Sequence, residues 1–276
     1  MPLAWGRELL ASAEAGGYAL PGFNVSNIEL ALGVIDAAEA KRAPILLQFN
    51  PSNLEHFGGL EVAAAAARAL AARASVPVAV HLDHGPDVEL LRAAARAGFT
   101  SLMYDGSVLP IDRNIHETMR AYGVGAEFGL AIEAELGHVG GREPGVASSE
   151  SVPTDPVAAR RFVDETQVDA LAVSVGTAHG LVGNVDLALL RELRAATRGL
   201  PLVLHGGSGV PPAQLAECVR LGIRKVNIST EIHTAFARAM AERPASDPRP
   251  ALRFARAAVA DAAAQRIEVL GAAMRA

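Results

Sequence analysis

The sequence predicts an α/β fold, a single (β/α)8 (TIM) barrel covering 1–276 with extra helices at its C-terminal end. Short apolar runs alternate with longer helical stretches along most of the chain, the pattern of βα units around a parallel sheet. Eight such runs can be placed in 276 residues, which suits one closed barrel. A doubly wound open sheet would need a glycine-rich turn after its first strand. The first strand here runs instead into Phe23-Asn-Val-Ser-Asn27.

The expected strands lie at about 20–25, 44–49, 77–83, 99–104, 131–136, 169–175, 201–205 and 223–228. Segments of helical composition separate them at 27–42, 57–75, 86–98, 154–167, 186–198 and 211–221. Two further helices, 230–242 and 250–272, close the chain, joined by the rigid stretch Arg243-Pro-Ala-Ser-Asp-Pro-Arg-Pro250. No linker is long enough to separate domains. The longest irregular stretch, about 137–153, carries glycines that would let it move, as lids and binding loops do.

Composition narrows the function. Half the residues are hydrophobic, the net charge is −5, and no basic patch interleaves with aromatics, so nucleic acid is not expected as a partner. Cys218 is the sole cysteine, which excludes an internal disulfide and suits a reducing, cytoplasmic setting. The first residues lack a basic segment followed by an apolar one, and no apolar run reaches the roughly 18 residues that cross a bilayer. A membrane partner is therefore not expected.

Three histidines are each followed by glycine: His84, His179 and His205. Each closes a strand-like run, and strand C-termini form the active face of such barrels. Imidazoles converging there, with a fourth position open, make a catalytic zinc site. Other polar groups gather at the same ends: Asn24, Asp83, Asp105, Glu133, Glu135 and the run Asn227-Ile-Ser-Thr-Glu231. A lone loop histidine is more often a surface or hydrogen-bonded residue, and His56, His116, His138 and His233 are read that way; His81, inside a strand, reads as core. Gly206-Gly-Ser-Gly209 follows the seventh strand, where glycines let backbone N–H groups approach a phosphate. The loops after strands seven and eight often form the phosphate site of a barrel.

Taken together, these residues resemble the class II, metal-dependent ketose-bisphosphate aldolases. The resemblance rests on Phe23-Asn-Val-Ser-Asn27, His81-Leu-Asp-His-Gly85, Gly98-Phe-Thr-Ser-Leu-Met-Tyr-Asp-Gly-Ser107, Glu133-Ala-Glu-Leu-Gly137, Gly140-Gly141, Gly176-Thr-Ala-His-Gly180, Leu204-His-Gly-Gly-Ser-Gly209, Lys225-Val-Asn-Ile-Ser-Thr-Glu231 and Asp247-Pro-Arg249. It covers almost the whole chain in order. It implies zinc on His84, His179 and His205, with Glu135 and Asp105 where the family has alternative or second-site ligands. Asp83 matches the catalytic aspartate and Glu143 the proton-transferring glutamate of the mobile loop. Asn24, Gly180, Gly206, Gly207, Ser208, Asn227, Ser229 and Thr230 fall in the dihydroxyacetone phosphate site, beside which the family often holds Na+ or K+. Arg249 aligns with the arginine for the far phosphate, which a neighbouring subunit can supply, so a homodimer or homotetramer is expected.

The implied reaction is reversible cleavage of fructose or tagatose 1,6-bisphosphate to dihydroxyacetone phosphate and glyceraldehyde 3-phosphate, through a zinc-stabilised enediolate. Two departures bear on substrate. Asn50 follows Gln48-Phe49 where many members carry serine or another small residue, and Ser229-Thr230-Glu231 is closer to the tagatose type than to Asp-Thr-Asp. Another phosphorylated ketose or sugar acid is the alternative substrate, and a non-catalytic barrel subunit the alternative role. A Schiff-base aldolase would need a lysine inside the barrel; only Lys41 and Lys225 exist, the latter on strand eight. A metal hydrolase would use zinc-bound water, and the sequence shows no paired-histidine strand motif or binuclear ligand set typical of hydrolytic barrels.

Overall fold

Eight parallel strands close on themselves in chain order, β1 (Leu20–Asn24) pairing with both β2 (Ile45–Phe49) and β8 (Ile223–Ile228). Between them run β3 (Val78–Gly85), β4 (Ser101–Tyr104), β5 (Ala131–Leu136), β6 (Ala170–Val173) and β7 (Leu202–Leu204). The computed structural model describes residues 3–141, 150–181, 183–243 and 246–276. Every strand residue is buried except His84, which is half-buried. Helices cover the outside and side chains fill the inside, so the strands read as continuous apolar runs. Each begins and ends within two residues of its expected position.

Among the described residues the helices are α1 (Gly6–Gly16), α2 (Ile28–Lys41), α3 (Pro51–His56), α4 (Leu60–Arg73), α5 (Val88–Ala97), α6 (Ile111–Phe128), α7 (Pro156–Thr166), α8 (Leu187–Ala196), α9 (Pro212–Arg220), α10 (Thr230–Glu242) and α11 (Pro248–Val269). Side chains of Asn27, Asn50, Asp87, Asp155, Asp186 and Asp247 accept the first free N–H groups of their helices.

The sequence reading leaves out three of these helices. Helix α6 is masked by Gly123 and Gly125, poor helix formers. Gly125 is needed because a Cβ there would come 2.5 Å from Ile132 of β5. Helix α1 runs at the N-terminal end of the barrel, where Ala4 N–H donates to Val78 and Gly6 N–H to Thr100. Helix α3 is a single short element, capped by Asn50.

Helix α10 completes the eighth βα unit, and α11 is the C-terminal addition. Ala251, Ala255, Val259, Ala263 and Ile267 repeat at helical spacing on the buried face of α11. Small residues let it lie close on α2. At the contact, a Cβ on Gly33 would fall 2.7 Å from Val259 and 2.8 Å from the Arg256 carbonyl. Asp36 and Arg256 seal the edge with two bonds of 2.5 Å. Gly33→Val should therefore cost about 1–3 kcal/mol through overpacking. A lowered thermal midpoint would register it; an unchanged one would mean the contact yields freely.

Candidate active site

The C-terminal ends of β3, β5, β7 and β8 bring the candidate residues to one face. Along β3 the alternating residues His81 and Asp83 point inward, as do Glu133 and Glu135 on β5 and Lys225 and Asn227 on β8; contacts across the barrel establish this. His84 breaks the alternation. The pairing of β3 with β4 shifts register between Leu82 and Gly85, and His84 takes a left-handed φ of 49°. Bulges re-aim side chains beside functional sites, and such a φ is costly for a residue with a side chain. Gly85 then passes where a Cβ would meet Leu91 at 2.5 Å and the Met103 carbonyl at 2.7 Å.

His84, His179 and His205 form a compact triangle. Their ring centroids lie 4.7 Å (His84–His205), 5.3 Å (His84–His179) and 5.7 Å (His179–His205) apart, and each offers a ligand atom within 4.8 Å of the others. Gly206 and Gly141 allow the loops to meet there. A Cβ on Gly206 would sit 2.8 Å from the Ala178 carbonyl, and one on Gly141 would sit 2.4 Å from the His179 carbonyl. His179 N–H donates to Gly140 (2.9 Å), tying this histidine to the start of the loop that continues to Glu143. Glu143 itself lies outside the described residues.

Carboxylates surround the triangle. Asp105 accepts from His84 Nδ1 at 2.7 Å and from Ser107 N–H at 3.0 Å. Glu135 accepts from Val139 N–H at 3.2 Å, and its Oε2 lies 3.3 Å from His205 Nδ1 and 3.8 Å from His84 Nδ1. His84, Asp105 and Glu135 thus form a second group with ligand spacing. Burial disfavours charge on His84, yet Asp83 and the Asp105 hydrogen bond outweigh it and raise that imidazole to about 10. Burial likewise opposes charge on Asp83, but His84, Lys225 and His205 prevail and hold its carboxyl well below the usual range.

A divalent cation fits this donor set. Buried His84 Nε2, His205 Nδ1 and Glu135 Oε2 have no hydrogen-bond partner among the described residues. Orphaned buried polar atoms are costly unless something completes them. A cation also suits a pocket where four carboxylates, Asp83, Asp105, Glu133 and Glu135, surround the imidazoles. Imidazole and carboxylate ligands suit zinc and several other first-row ions.

Asp83 stands at the centre of an amide clamp. Asn24 Nδ2 donates to Oδ2 at 2.7 Å and Asn227 Nδ2 to Oδ1 at 2.9 Å. Gln48 Nε2 donates to Asn24 Oδ1 at 3.2 Å, and its side chain lies over Gly22, whose lack of a Cβ makes the room. The two asparagines expected at the substrate therefore also hold the aspartate in orientation.

The remaining candidates separate into two places. Gly180, Ser208, Gly209 and Thr230 line a cavity of about 510 Å³ together with Thr234 and Arg238. Gly206 and Gly207 precede them on the loop after β7. Ser208 Oγ accepts from Ser229 N–H at 3.2 Å and Glu231 N–H at 3.4 Å, joining that loop to the start of α10. The Glu231 carboxylate is engaged by Arg266 of α11, which also donates to the Ser208 and Val210 carbonyls. Asn50 is committed to its capping box. Arg249, four-fifths exposed, pairs with Asp247 at 2.9 Å and makes its hydrogen bonds there.

Two participants, Gln48 and Lys225, carry no role in the aldolase site as read from the sequence, and Glu133, expected at the active face, has none assigned there. Glu133 accepts from His205 Nε2 at 3.2 Å and from Lys225 Nζ at 2.7 Å. The signal was available, since charged or amide side chains two apart on an otherwise apolar strand all face one way. Lys225 is thereby engaged, which removes the amine a Schiff-base mechanism would use; Lys41 pairs with Glu268 on the surface. His138 and His233, read as hydrogen-bonded, bond Ser107 (2.9 Å) and the serines at 26 and 229 (3.3 and 3.4 Å).

Comparison with known proteins bears on the whole chain. The family model described as fructose-bisphosphate aldolase class-II matches residues 5–275. A fructose-bisphosphate aldolase of Streptococcus pyogenes serotype M3 is 36% identical over 296 residues, covering 100% of both chains. A probable fructose-bisphosphate aldolase of Bacillus subtilis (strain 168) is 35% identical over 281 residues, covering 98% of each. Among solved structures, the YdjI aldolase of Escherichia coli K12 superposes with a TM-score of 0.89 at 34% identity, over 99% of each chain. With the barrel, the histidine triangle and the clamped aspartate already in place, these matches identify the chain as a member of the class II fructose-bisphosphate aldolase family, a carbon–carbon lyase.

Proposed function

We propose that this protein cleaves a ketose 1,6-bisphosphate, fructose or tagatose, into dihydroxyacetone phosphate and glyceraldehyde 3-phosphate, and joins them in reverse. The observation that carries the proposal is Asp83, clamped by Asn24 and Asn227, beside the His84–His179–His205 triangle. Those three histidines would hold zinc, with Glu135 and Asp105 as alternative or second-site ligands. When bound, zinc supplies Lewis-acid stabilisation of the charge that develops on substrate oxygens.

The chain's own groups carry the protons. In cleavage Asp83 takes the C4 hydroxyl proton, the C3–C4 bond breaks, C4 becomes the aldehyde carbon, and the bonding pair stays on C3. Glu143 then gives C3 a proton; in synthesis both transfers reverse. Each acid/base contribution is worth about two to four orders of magnitude. The dihydroxyacetone phosphate end would lie on Gly180, Gly206, Gly207, Ser208, Asn227, Ser229 and Thr230, with a monovalent cation beside it. The dipole of α10 starts at Thr230 and favours an anion there.

The exposed Arg249 supports a role in a neighbouring subunit's site within a homodimer or homotetramer, since its side-chain partner among the described residues is Asp247. Arg249→Ala should raise KM for a bisphosphate about 10–100-fold, the worth of a charged hydrogen bond or two. Proton exchange of dihydroxyacetone phosphate should be spared. Equal loss of both activities would remove Arg249 from the far-phosphate role.

Tagatose bisphosphate draws specific support from Glu231. Its carboxylate is held by Arg266, so it does not replace the one absent at Ser229. Side-by-side cleavage of fructose and tagatose bisphosphates, with and without chelator, tests the reading. Metal-dependent turnover of either supports it. A metal-loaded protein inactive on both would turn attention to another phosphorylated ketose or sugar acid. A cytoplasmic location belongs to the same proposal; no helix among the described residues is long and apolar enough to cross a membrane.

A further inference from the structure

Beneath the histidine triangle a chain of polar side chains crosses the barrel interior. Ser101 Oγ of β4 lies 2.8 Å from His81 Nδ1 of β3, and His81 Nε2 lies 3.3 Å from Lys225 Nζ of β8. Lys225 donates to Glu133 of β5 at 2.7 Å, and Glu133 accepts from His205 Nε2, just beyond β7, at 3.2 Å. Each of these five side chains is almost wholly buried; Lys225 is 1% exposed and His81 and His205 0%. Burying an ammonium and a carboxylate costs more than an apolar pair of the same volume would, so core packing gives no reason for them. The His-to-carboxylate bond does. His205 Nε2 is occupied by Glu133, so its other nitrogen, Nδ1, is the one turned to the triangle, where Glu135 Oε2 lies 3.3 Å away.

We propose that Lys225 is a positioning residue of the metal site: by anchoring Glu133 from the opposite strand, it fixes the His205 ring with Nδ1 presented for coordination. The His81–Ser101 pair holds the lysine from the other side. Outer partners of metal-bound histidines set ring orientation, and losing one typically weakens metal binding about 10–100-fold. The proposal rests on the metal-site reading above and extends it to a residue that touches neither metal nor substrate.

The test measures zinc affinity by competition with a calibrated chelator, alongside the visible spectrum of the cobalt-substituted protein. Wild type, Lys225→Met, Glu133→Gln and the double variant are compared. Lys225→Met should raise the zinc dissociation constant about 10–100-fold and alter the cobalt spectrum. If the lysine acts through Glu133, the double variant should be no weaker than Glu133→Gln, because the effects of one linked unit do not multiply. Ser101→Ala provides a milder cut at the far end should Lys225→Met not fold; it should weaken zinc in the same direction. Zinc affinity within about twofold of wild type in Lys225→Met, or in Ser101→Ala where that variant stands in, overturns the proposal, as do effects that multiply in the double variant. Wild type that binds no zinc at all would instead overturn the metal-site reading.

Discussion

Removing the metal with a chelator should lower cleavage of the preferred bisphosphate by about three orders of magnitude or more. Lewis-acid stabilisation of a developing oxyanion is worth several kcal/mol, and about 1.4 kcal/mol is a factor of ten in rate. The two cations that rival mechanisms would call on are committed elsewhere. Lys225 is spent on Glu133 and His81, and Arg249 lies on the surface with Asp247. Without the metal, His84 and His205 face the surrounding carboxylates alone, which favours their protonated forms. Adding back zinc, cobalt or manganese to the stripped protein should restore activity to different extents. His179→Ala should reproduce the loss and resist rescue. Full activity in protein shown by elemental analysis to be metal-free would sink the mechanism.

The second large effect belongs to Asp83. Asp83→Asn should lower cleavage about 10²–10⁴-fold, the range of one positioned acid/base group, with little change in zinc content. The substitution also disturbs the clamp. Asn24 and Asn227 both present N–H groups to the carboxylate, and an asparagine offers only one acceptor oxygen to them. Its own NH2 must then face a donor, so ordering of the clamp should fall as well. Proton exchange at C3 of dihydroxyacetone phosphate is assigned to Glu143 and should survive within about tenfold, a small loss beside the effect on cleavage. If exchange collapses in parallel with cleavage, Asp83 serves the site's structure and not C4 chemistry.

Much of this site was legible in the chain as written. His84, His179 and His205 announced themselves by position, each at a strand end with glycine behind it. Asp83 followed as the neighbour of a candidate ligand, and the βα alternation carried the strand count. The glycines turned out to act earlier than expected. Gly206 and Gly141 first let loops meet at 2.4–2.8 Å where a Cβ would stand, and Gly85 lets β3 pass under Leu91. Close approach of two backbones is a relation between distant segments, so sequence spacing does not reveal it. Helix α6 was hidden for the same reason, because Gly125 answers to Ile132 and not to its own helix.

By itself the sequence determined the fold class, the strands and which residue types stand at their C-terminal ends, because period, propensity and strand polarity are local properties of a parallel barrel. Only the tertiary structure decided how those residues are used: that Asn24 and Asn227 grip Asp83, that Glu231 is tied to Arg266, and that Lys225 backs Glu133 and His205. Closing the barrel brings strands far apart in sequence within a few ångströms of one another. Which atom of a side chain is then bonded, and which is left open for a metal, depends on the partner it meets across the interior.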